Sequence, residues 1–63
     1  MNYTYYKSLP SLRDKVKYMI AVVKSCRYLG IYDNSDIKRV IKVHCNSDET
    51  VMKILDLALT QIS

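Results

Sequence analysis

The chain has 63 residues, 49% of them hydrophobic, with six Tyr but no Trp or Phe, and a net charge of +4. That length is one domain, 1–63, and a chain of this size buries only roughly 60% of the surface it exposes when unfolded, so its apolar residues must serve a single core. A single Gly and two Cys exclude a glycine-rich phosphate loop and a disulfide scaffold.

The first eight residues, MNYTYYKS, are polar and aromatic. Their weak alternation from Asn2 to Tyr6 reads as a flexible arm or a short edge strand. A helix over 11–29 follows Pro10, with Ser11 and Asp14 placed as a capping box. Leu12, Val16, Met19, Val23 and Cys26 recur at spacings of four and three, widened by Ile20, while Arg13, Lys17 and Lys24 fall off that stripe. Gly30 is the left-handed residue that ends this helix, with Ile31 folding back onto it.

The middle segment has two readings. As a helix over 34–44 it starts at Asp33, Asn34 or Ser35, turns Ile37, Val40, Ile41 and His44 inward, and leaves Lys38, Arg39 and Lys42 outside. As a strand, its four β-branched residues pair with RYLGIY through a turn at Asp33–Asp36, a hairpin over 28–45. The last helix, 47–62, starts at an Asn46 cap answered by Glu49. Its apolar face is Val51, Ile54, Leu55, Ala58, Leu59 and Ile62, with Met52 and Leu57 outside that face and Asp56 one turn from Lys53 and Thr60. The expected fold is therefore all-α, a compact three-helix domain, and the alternative is α+β with the hairpin between two helices.

Two resemblances mirror this choice. LGIYDNSDIKRV followed by VMKILDLALTQ resembles the later helices of a caspase-recruitment (death-fold) domain, which implies helices. LGIYDNSDIKRVIKVHCNSDETVMKILDLAL resembles the opening ββα of a Ras-association or other ubiquitin-like domain, which implies the hairpin. Each covers about half the chain through generic hydrophobic spacing, the two exclude each other, and neither lends a functional residue.

His44 and Cys45 are the first candidates for chemistry. A metal site needs spaced ligand pairs, and adjacent residues point in different directions, so no metal is expected. A nucleophilic Cys needs a base and an orienting group that neighbouring sequence positions do not supply. The pair reads instead as a buried thiol and a histidine at a helix end. Asp33, Asp36, Asp48 and Glu49 all sit where caps and turns want them, so no acid–base pair is left over, and neither an enzyme nor a cofactor is expected.

What remains is charge. From Lys7 to Lys42 nine Lys and Arg oppose Asp14, Asp33 and Asp36, giving +6; from Val43 onward Lys53 opposes Asp48, Glu49 and Asp56, giving −2. Such an imbalance favours an acidic partner. The expected function is a small regulatory or adaptor protein that binds another protein through a basic face of Arg13, Lys17, Lys24, Arg27, Lys38, Arg39 and Lys42, with Tyr3, Tyr5 and Tyr6 as aromatic contacts. The alternative is nucleic-acid binding by the same cations, with the tyrosines stacking on bases. A helix-turn-helix docking is disfavoured because its reading helix would present Asp48 and Glu49 to the groove. Self-association, as a homodimer, would use Met52 and Leu57. The start carries no basic segment followed by a long apolar run, and the longest apolar stretch, Tyr18–Val23, is far short of a membrane span. A cytoplasmic setting with reduced cysteines is expected, and a Cys26–Cys45 bridge stays open.

Overall fold

A computed structural model describes residues 1–62. Four helices follow one another: α1 (Tyr3–Ser8), α2 (Leu12–Tyr28), α3 (Asn34–His44) and α4 (Glu49–Ile62). The described residues contain no strand, so the hairpin over 28–45, and with it the ubiquitin-like ββα, is overturned. The middle segment is helical although it is rich in β-branched residues, because the helix sends Ile37 and Ile41 into the core and leaves every charge from Lys38 to Lys42 outside or at its edge. Asp33 starts it by accepting a hydrogen bond on Oδ1 from the Ser35 amide at 2.8 Å.

The N-terminal arm or edge strand is also corrected: residues 3–8 are a helix. Asn2 caps it, accepting the Tyr5 amide at 2.9 Å, and the chain leaves it at Leu9, whose backbone is extended ahead of Pro10. Six residues are far too few to hold a helix alone. Docking holds this one. Tyr6 is buried, its ring lies 6.4 Å from that of Tyr18, and the Tyr5 ring lies 5.2 Å from Tyr18. The Asn2 amide donates to Tyr18 Oη at 2.9 Å, and Tyr3 Oη donates to Asp48 Oδ2 at 2.5 Å.

α2 begins as expected, with Ser11 Oγ accepting the Asp14 amide at 3.1 Å. It ends at Gly30 (φ +93°), where the Gly30 amide reaches the Arg27 carbonyl and the Ile31 amide reaches the Cys26 carbonyl. This is the double hydrogen bond of a Schellman motif, and half-buried Ile31 folds back against the core. The same pattern ends α3, where the Ser47 amide reaches the Lys42 carbonyl at 2.9 Å and the Asn46 amide reaches that of Val43 at 3.4 Å. Asn46 (φ 54°) and Ser47 (φ 62°) are both left-handed. Asn46 therefore closes α3 and does not cap α4. That cap is Asp48, whose Oδ1 accepts the amides of Thr50 at 2.9 Å and Val51 at 3.4 Å, so α4 starts two residues later than the spacing suggested.

The core joins Val16, Met19, Val23 and Cys26 of α2 to Val51, Ile54, Leu55, Ala58 and Leu59 of α4. α2 packs mainly on α4, with the start of one beside the end of the other, so the pair is antiparallel. Ile37, Ile41 and Cys45 of the α3 region and Tyr6 of α1 close the core. No polar or charged residue is buried among the described residues.

Candidate functional site

Arg13, Lys17, Lys24 and Arg27 follow one another at i, i+4, i+11 and i+14, a spacing that keeps them within one strip of α2. The first three are exposed and Arg27 is half-buried. Among the described residues no carboxylate lies within ion-pair distance of any of the four. Tyr28, four residues after Lys24, extends the strip and is 89% exposed.

The three cations of α3 are placed differently. Lys38 Nζ meets Asp56 Oδ1 at 2.9 Å and ties α3 to α4. This is the partner of Asp56, in place of Lys53 one turn away; the Thr60 hydroxyl does reach residue 56, but donates to its backbone carbonyl at 2.9 Å. Arg39 Nη1 lies 3.5 Å from Asp36 Oδ1, while Lys42 is exposed and makes no ion pair. The α2 strip borders the Leu57 and Gln61 edge of α4, whereas Lys38 lies along the Asp56, Leu59 and Thr60 edge. The structure thus separates the seven cations into two groups: among the described residues none of the α2 four makes an ion pair, whereas two of the α3 three do.

Beside the strip an open groove of about 500 Å3 runs between α2 and α4. Val16 forms its floor, Leu12 and Leu57 its apolar walls, and Arg13, Lys17 and Gln61 complete the lining. Leu12 is 59% exposed and Leu57 47%. Leu12 belongs to the apolar stripe by spacing, yet it lies at the very start of α2, across the groove from Leu57 and Gln61 of α4, and stays exposed. Met52, the other residue considered for self-association, is half-buried against the core.

A second groove, about 480 Å3, lies between α2 and α3, with Val22, Cys26, Leu29, Ile31, Val40 and His44 in its lining. Around the α2–α3 corner Leu29 and Tyr32 stand in solvent, as does Val43 on α3. Tyr28 was legible as outward-facing from its phase with Lys24. The exposure of Leu29 and Tyr32 depends on the path the chain takes through Gly30, which no periodicity describes.

The tyrosines of α1 do structural work. Tyr6 is 3% exposed and its hydroxyl is, among the described residues, the buried polar atom without a hydrogen-bond partner. Burial raises its pKa, with the negative charge of Asp48 acting in the same direction. Tyr3 is half-buried, and its hydrogen bond to Asp48 raises its pKa above the usual tyrosine value, with burial and the Asp48 charge acting in the same direction. That hydrogen bond also holds the Asp48 carboxyl below its ordinary pKa, aided by the Thr50 and Val51 amides against an opposing effect of burial. Lys7 Nζ sits 4.7 Å from the centre of the Tyr3 ring and Lys15 Nζ 5.6 Å from that of Tyr6. Of the three, only Tyr5 is an exposed residue, and its ring packs at a tilt of 58° against that of Tyr18.

His44 and Cys45 do not converge on a common site. Cys45 is fully buried and its thiol donates to the Lys42 carbonyl at 3.7 Å, whereas His44 is exposed in the last turn of α3. Cys26 and Cys45 are both free. Among the described residues no group of three or more His, Cys, Asp or Glu is placed to hold a metal ion, and no helix is long and apolar enough to cross a membrane. The chain matches no protein-family model, and no curated protein or solved structure matches it.

Proposed function

We propose that this protein is a small non-enzymatic adaptor or regulator that binds the acidic surface of another protein through the cationic strip of α2. One observation carries this reading: among the described residues Arg13, Lys17, Lys24 and Arg27 share a strip with no carboxylate within ion-pair distance, while Lys38 and Arg39 on α3 are already paired. Unpaired like charges on one face raise a positive potential that steers an acidic partner and sets its orientation. The aromatic member of this face is Tyr28, since Tyr3 and Tyr6 are committed to holding α1.

Charge reversal tests the reading. The double variant Arg13→Glu/Lys17→Glu changes two exposed positions, so its far-UV CD spectrum stays helical while capture of the partner is lost. The matching reversal at Arg39 and Lys42 leaves capture largely intact. Equal binding by wild type and the α2 variant sinks the proposal. Retention of duplex DNA with a log–log salt slope of about −0.9 per phosphate neutralised would assign the strip to nucleic acid instead.

A further inference from the structure

We infer that the groove between α2 and α4 receives one face of an acidic amphipathic helix, contributed by the partner, with its apolar side chains on Leu12, Val16 and Leu57. The inference rests on the α2 strip being the contact face and specifies what that face is built to hold. Apolar and cationic groups are arranged here in register. Leu12 and Val16 lie four residues apart in the lining from α2, and Arg13 and Lys17, each the next residue in the chain, line it beside them. On α4 the opposite bank is formed by Leu57 and Gln61, neither of them charged. The groove is thus apolar at its floor and cationic on its α2 bank, where Arg13 and Lys17 line it, and no acidic residue lines it.

Its shape selects a helix. From Leu12 to Lys17 the lining of α2 rises roughly 7.5 Å at 1.5 Å per residue, which matches about one and a half turns of a bound helix. Two antiparallel helices offer ridges and a groove into which a third packs, and the described residues hold no sheet edge to which an extended peptide could add. The occupant's pattern follows: apolar side chains at i, i+3 or i+4, and i+7 facing down, and Asp or Glu flanking them toward Arg13 and Lys17. A nucleic acid would satisfy the cations but leave Leu12 and Leu57 uncovered.

The test is selection of binders from a random 15-residue peptide display library on the full chain, followed by fluorescence anisotropy of the enriched synthetic peptides. The expected peptides combine apolar residues at i, i+3 or i+4, and i+7 with acidic flanks, and gain helical CD signal on binding. Leu57→Gln, a helix-compatible change at an exposed site, weakens them by about tenfold, as loss of one apolar anchor does. Arg13→Glu/Lys17→Glu weakens them by at least as much. Acidic peptides without apolar periodicity, indifferent to Leu57→Gln, overturn the helical occupant while leaving the cationic strip standing. Peptides indifferent to Arg13→Glu/Lys17→Glu overturn both. If no peptide is enriched, the helical occupant falls and the partner-capture experiment alone decides the strip.

Discussion

The two terminal helices are made by different means. α4 buries five aliphatic residues along one face of 14, so the pattern of its own sequence holds it against α2 and α3. α1 buries one side chain of six, Tyr6, and is held by what it touches: two ring contacts with Tyr18, one amide on the Tyr18 hydroxyl and one phenol on Asp48. α4 is therefore part of the cooperative core, whereas α1 is a docked segment able to open while the remainder stays folded.

The largest effect that separates them lies in α4. Leu55 is fully buried, and Leu55→Ala is expected to cost about 2–5 kcal/mol, with all helical CD signal lost in one transition at lower urea. Tyr18→Ala removes the platform of α1 and two aromatic pairs, a loss of about 1–3 kcal/mol. Amide exchange would show the difference in kind: protection falls first within α1 and persists in α4. Uniform loss of protection across both helices would break the distinction.

Two smaller effects sharpen it. Tyr6→Phe keeps the ring and deletes a buried hydroxyl with no partner, so it is expected to stabilise the protein by about 1 kcal/mol, seen as a higher Tm. The Tyr3–Asp48 pair makes the docking of α1 depend on pH. The folded state lowers the Asp48 pKa, so its contribution is complete above the ordinary carboxylate value and fades as pH falls through the lower folded value. The folded state raises the Tyr3 pKa, so that contribution is complete below about pH 10 and fades as pH rises through the higher folded value. Asp48→Asn should flatten the acid limb of Tm against pH, and Tyr3→Phe the alkaline one. Both effects are small because the pair is solvent-screened.

This contrast also explains what could be read in the sequence. Val51, Ile54, Leu55, Ala58 and Leu59 repeat with helical period, and all five are buried, as are Val16, Met19, Val23 and Cys26 of α2. Gly30 as a helix stop was equally readable, because one residue type dominates that position. α1 was not, since six residues show no period and three tyrosines favour a strand by local preference. Asn46 was misjudged because the residue serves both as an N-cap and as a left-handed C-terminal residue, and the choice depends on Asp48 taking the cap. The site divides in the same way. Helical phase alone placed Arg13, Lys17 and Lys24 on one strip, but the pairing of Lys38 with Asp56 and the exposure of Leu12 arise between helices and leave no trace in spacing.

Gly30 has nothing within 4 Å of the position a Cβ would occupy, so only its φ of +93° bars an L side chain there. A D-amino acid adopts that dihedral without strain, and a chain of this length is accessible to chemical synthesis. D-alanine at position 30 would keep both Schellman hydrogen bonds and narrow the unfolded ensemble, tightening the α2–α3 corner by about 0.4–1 kcal/mol through mirror-image stereochemistry alone.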